Sequence, residues 1–144
     1  MTVAVQIGEL DGAATPSATE IARWAEEARG DDTRSLCLRV VGETEGVALN
    51  ARFRDGEKAT NVLAFPADEP GVLGDIAICA PVAALEAREQ DKALADHYAH
   101  LVVHGVLHLL GLDHDTPHTA ADMEAKEIQV LGSFGIVDPY GDQT

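Results

Sequence analysis

All six histidines of this chain fall between residues 97 and 118: His97, His100, His104, His108, His114 and His118. No other feature constrains the fold as tightly. An α-helix advances about 100° per residue, so His104 and His108 sit one turn apart on one face. His97 and His100 fall within about 40° of His104, which extends the stripe to four imidazoles. Val102, Val103, Val106, Leu107, Leu109 and Leu110 take the other side. The pattern predicts a helix over residues 94–110 with one core face and one chemical face. Gly111 follows, and glycine adopts the left-handed conformation that ends a helix. The chain can then turn back and bring His114 to the point that His104 and His108 share.

Three neutral imidazoles suit Zn²⁺ and leave a fourth position open, the arrangement of a catalytic zinc site. One Zn²⁺ per chain on His104, His108 and His114 is the expectation. The same spacing occurs in metzincin zinc peptidases, which carry Glu directly after the first histidine as general base. Gly105 stands there in this chain. A glycine takes no proton, so a conventional peptidase mechanism is disfavoured. A side chain at 105 is expected to crowd the water site. His97 and His100 read as supporting or surface residues, and His118 as exposed. Asp113 reads as a carboxylate that orients a histidine or caps a turn. Asp75 reads as a structural residue at a strand end.

The rest of the chain has the make-up of one soluble domain over residues 1–144. The 46% of hydrophobic residues suffices for a single core. Cys37 and Cys79 lie in separate apolar segments, which excludes a disulfide scaffold and a cysteine zinc ribbon. No apolar run reaches the roughly 20 residues that span a bilayer. Residues 1–7 have neither the basic start nor the apolar run of a secretory signal, and a cytoplasmic location is expected. Ten Lys and Arg against 25 Asp and Glu give a net charge of −15. That balance removes whole-molecule attraction as a route to nucleic acid, so any RNA contact needs a local basic patch or a metal. The nearest to such a patch is Arg52, Arg54 and Lys58.

Alternation predicts strands at 3–7, 35–41, 61–65 and 73–79. Ser17 or Thr19 caps a helix that Gly30 ends, Pro81 opens another to about residue 90, and a last one covers 119–131. Residues 44–54 suit either a strand or a helix. Strands cluster early and helices late, which predicts an α+β domain: a mixed sheet of about four strands with packed helices, and the zinc site on a C-terminal helix and the turn after it.

The run His104-Gly105-Val106-Leu107-His108-Leu109-Leu110-Gly111-Leu112-Asp113-His114 resembles the signature of the YbeY family, bacterial metal-dependent endoribonucleases of rRNA maturation. Other blocks follow in the family's order: Leu49-Asn50 with Phe53-Arg54, Thr60-Asn61-Val62-Leu63-Ala64-Phe65-Pro66, Leu73-Gly74-Asp75-Ile76, then His97, His100 and Leu101, then Met123-Glu124 with Glu127, and finally Asp138-Pro139-Tyr140. The resemblance covers roughly residues 45–140. It implies zinc at His104, His108 and His114, a functional arginine at Arg54, and a helix over 44–54. It implies cleavage of single-stranded RNA in small-subunit (16S) rRNA 3′-end maturation and ribosome quality control. Phe53 stands where the family has Tyr, and Ala64 where it has Ser, so no hydroxyl role carries to either. The acidic charge favours action on a ribosome, through its rRNA or small-subunit proteins, or with another partner protein. Two other readings stand beside this one: a zinc-stabilised ribosome-associated factor with secondary nuclease activity, and a metzincin-like zinc peptidase lacking the usual Glu.

Overall fold

The alternating, β-branched segments of the sequence pair into one sheet. In a computed structural model, residues 3–10, 12–54, 61–112 and 116–136 are described, with only the backbone of residues 50–54. Strands β1 (Val3–Ile7), β2 (Ser35–Val41), β3 (Val62–Pro66) and β4 (Val72–Cys79) form a sheet of order β1-β2-β4-β3. β1 and β4 run parallel to β2, and β3 runs antiparallel to β4. The sheet is thus mixed and four-stranded, as the strand pattern predicts. Five helices accompany it: α1 (Ala18–Arg29), α2 (Glu43–Arg54), α3 (Ala80–Glu89), α4 (Leu94–Leu109) and α5 (Pro117–Gly132).

Local chemistry sets the helix ends. Ser17 caps α1 in a reciprocal box with Glu20, and Thr116 caps α5 in the same way with Thr119. The Thr116 cap and Pro117 start α5 two residues before the expected 119, because proline's fixed φ is ready-made for the first helical turn. Residues 44–54 are open from the sequence pattern alone, and the structure makes them helical. The amide of Gly46 bonds the Gly42 carbonyl at 3.0 Å to close the first turn of α2, where Glu43 and Glu45 complement the helix dipole.

One face of the sheet carries the core. Leu36, Leu38 and Val40 of β2 and Ile76 and Ile78 of β4 are buried together with Val102, Val103, Val106 and Leu107 of α4. α4 is the central helix and touches α1, α3, α5, β3 and β4. It comes close to the sheet because two glycines allow it. A Cβ on Gly105 would stand 3.1 Å from Ile76 Cδ1. On Gly74, whose φ is +156°, a Cβ would stand 2.5 Å from the Phe65 carbonyl oxygen and 3.0 Å from Leu109 Cδ2. Strand alternation sends Asp75 and Ala77, the neighbours of Ile76, to the opposite face. There Cys37, Arg39 and Asp75 line a cleft of about 340 Å³ with Glu45 and Leu49 of α2. Asp75 is exposed there, away from α4; burial, and after it the Asp75 charge, raises the pKa of the Cys37 thiol.

Candidate metal centre

The imidazole stripe of α4 faces α5. His104 Nδ1 lies 3.0 Å from Glu127 Oε2, and His100 Nε2 lies 3.2 Å from the same oxygen. The two rings stand edge to face, 6.2 Å between centroids. His100, His104 and Glu127 each offer a ligand atom within 4.8 Å of the others. The neighbouring face of α4 is solidly apolar: Val102, Val103, Gly105, Val106 and Leu107 are all buried. One helix therefore divides into core and chemistry, as its sequence predicts.

The end of α4 has the form that the glycine foretells. Gly111 has a φ of +102°. Its amide bonds the His108 carbonyl at 3.0 Å, and the Leu112 amide bonds the Leu107 carbonyl at 3.1 Å. These two bonds make a Schellman motif, which reverses the chain directly after His108. His108 lies one turn beyond His104, half-buried like it. Asp113 and His114 fall outside the described residues, as do Lys58, Thr60 and the terminal Asp138-Pro139-Tyr140. Arg54 is the last residue of α2, and its side chain, with those of Asn50, Arg52 and Phe53, is likewise outside.

The remaining histidines divide by burial. His97 is 3% exposed, and its Nε2–H donates to Glu86 Oε1 at 3.0 Å. Asn61 Nδ2 donates to both oxygens of Glu86, at 3.1 and 3.3 Å. This network ties the start of β3 to α3 and α4, so His97 supports the fold two turns from His104. His118 is exposed beside Asp122.

Glu127 is the residue that the motif reading passes over. It matches a family block, but nothing in its spacing marks a role. The signal is a misfit: Met123, Glu127, Val130 and Leu131 form one buried face of α5, and Glu127 is the charged member. A fully buried carboxylate is rare unless it is paired or ligating.

Two imidazoles and a carboxylate gathered within ligand distance fit a divalent cation of borderline softness such as zinc. A small α+β protein with the donor set of a metal centre is the class that fold and site define. Comparison with known proteins makes it specific. The family model described as "Endoribonuclease YbeY" matches residues 11–135. Curated relatives of the same description include those of Halorhodospira halophila (46% identical, covering 90% of this chain and 90% of that one), Stenotrophomonas maltophilia (49%; 91% and 88%) and Aromatoleum aromaticum (47%; 97% and 91%). The chain belongs to the endoribonuclease YbeY family. Its fold is also that of TM1509 from Thermotoga maritima, known from a solution structure. That chain is 24% identical with a TM-score of 0.59, over 98% of this chain and all of that one.

Proposed function

We propose that this chain is a zinc-dependent endoribonuclease acting on single-stranded RNA in small-subunit (16S) rRNA 3′-end maturation and ribosome quality control. We place it in the cytoplasm, as one domain over residues 1–144. The observation that carries the reading is the histidine stripe of α4, backed by a buried carboxylate, in a member of the endoribonuclease YbeY family. Among the described residues no helix is long and apolar enough to cross a membrane.

His104, His108 and His114 are the residues that would hold the zinc. A bound zinc supplies Lewis-acid polarisation of a phosphate oxygen and lowers the pKa of water toward about 7. Arg54, at the end of α2, would clamp the phosphodiester through its planar fork of donors and offset the charge that develops there. The Schellman turn at Gly111 brings the chain back past the end of α4, which supports His114 as the third ligand. The acidic surface supports delivery of RNA on a ribosome in preference to capture from solution.

The test is metal analysis beside RNA cleavage by wild type, His108→Ala, Arg54→Lys and Arg52→Ala, purified in parallel. Wild type should carry about one Zn²⁺ and cleave single-stranded RNA, and His108→Ala should lose both. Arg54→Lys should keep its metal but lose roughly 10²–10³-fold in cleavage, since lysine offers a point charge in place of a fork. Arg52→Ala should be mild, because a position two residues away on a helix falls on a different face from Arg54. A wild type that holds zinc and sediments with ribosomes, yet cleaves no RNA, would make it a binding factor. Peptide hydrolysis without RNA cleavage would make it a peptidase.

A further inference from the structure

We infer that Glu127 is a positioning residue for His104: it keeps the ring proton on Nδ1 and so reserves Nε2, with its lone pair, for the metal. This rests on the reading of His104 as a zinc ligand. Glu127 is 1% exposed, on the apolar face of α5 between Met123 and Leu131. A carboxylate taken that far from water stays ionised only with donors of its own. Its Oε2 has two close neighbours, His104 Nδ1 at 3.0 Å and His100 Nε2 at 3.2 Å. An ionised carboxylate only accepts, so these protons belong to the imidazoles.

The consequence differs between the two rings. A neutral imidazole carries one proton and one lone pair, on opposite nitrogens. With Nδ1–H committed to Glu127, His104 presents its lone pair at Nε2, across the ring. The same bond fixes the rotation of the ring. His100 shows Glu127 the other nitrogen, Nε2, and so serves as second donor to the carboxylate. Buried at the centre, Glu127 would lock two members of the histidine stripe without being a ligand.

The group His100, His104 and Glu127 suggests a rival: the three hold an ion directly, with His104 bound through Nδ1. The two arrangements use opposite nitrogens of one ring, which makes them separable without reference to activity. The probe is Zn²⁺ added to protein labelled with ¹⁵N in histidine, followed by long-range proton–nitrogen correlation spectra. His104 should show the Nδ1–H tautomer before metal is added and coordination at Nε2 afterwards. Zn²⁺ affinity, read by competition with a chelator, should fall about 10–100-fold in Glu127→Ala, the range for loss of a carboxylate behind a metal-bound histidine. Glu127→Gln keeps an acceptor of nearly the same shape. It should retain the tautomer, recover part of the affinity, and remain readable if Glu127→Ala does not fold.

Coordination at Nδ1 of His104 would overturn the inference. So would full zinc content in His108→Ala and His114→Ala with loss in His100→Ala, or unchanged affinity in both Glu127 variants. The outcome for the function is separate. Coordination at Nε2 with a Glu127-dependent affinity, but no RNA cleavage, would uphold the positioning role and remove the nuclease reading.

Discussion

Gly105 shows how much a single position can decide. It stands where zinc peptidases of the same histidine spacing carry their general base, and its lack of a side chain sets this chain apart from them. The structure supplies a different reason for the glycine from the one the motif suggests. Position 105 looks onto β4, not onto the histidines: an added Cβ would meet Ile76 Cδ1 at 3.1 Å and Cγ2 at 3.3 Å. A side chain there crowds the core, and the expected crowding of a water site does not arise. Gly105→Glu should therefore bury an unpaired carboxylate between α4 and the sheet. The cost should exceed about 3 kcal/mol, read as loss of the cooperative thermal transition. Gly105→Ala should stay within about 1 kcal/mol of wild type, since alanine's better helix propensity offsets the tighter contact with Ile76. A stable, cooperatively folded Gly105→Glu protein would show that position 105 faces solvent.

At the scale of elements, most boundaries follow from short-range chemistry and are legible in the sequence. β2 occupies residues 35–41 as alternation predicts, α1 begins behind Ser17, and α4 ends at Gly111. The connection from α1 to β2 is also local. Arg34 donates to Asp32 through its side chain, at 3.0 and 3.2 Å from Nε and 2.7 Å from Nη2, and through its backbone amide at 3.0 Å. These bonds hold the Asp32 carboxyl at about 2, below its ordinary 3.8. A carboxyl lowered on folding contributes stability above its unfolded pKa and loses it as the pH falls through the folded one. Asp32→Asn should thus lower the denaturant midpoint slightly at neutral pH, and the gap to wild type should close between about pH 4 and 2. The effect is small because the pair is partly exposed to water. A gap that persists at about pH 2 would place the contribution elsewhere. α2 marks the limit of local reading: its alternation competes with its helix formers, and contacts with β4 and α3 accompany the helical outcome.

For the whole molecule the governing quantity is charge. A net −15 opposes any polyanion at long range, so affinity for free RNA must come from a few local cations. Single-stranded RNA releases about 0.7 ions per neutralised phosphate. If Arg52, Arg54 and Lys58 are the cations engaged, the slope of log Kobs against log salt should be no steeper than about −2. Fluorescence anisotropy of a labelled RNA between about 50 and 200 mM salt measures it. A slope near −5 would reveal an extended basic groove and remove the argument for delivery on a ribosome.

What the sequence determined by itself is whatever a helix or strand enforces through its own period. The histidine stripe, its apolar reverse, the stop at Gly111 and the four strands are all consequences of 3.6 and 2 residues per turn. Family membership was legible for the same reason, since its motif blocks are local strings in a fixed order. What only the tertiary structure decided is what one element does for another. That His97 and Asn61 both bond Glu86, that Gly105 admits Ile76, and that Glu127 reaches across from α5 to His100 and His104 are pairings between residues 11 to 29 positions apart. No periodicity within one helix encodes its partner on the next. Glu127 was visible only as a charge out of place on an apolar face, and its meaning came from the helix packed against it.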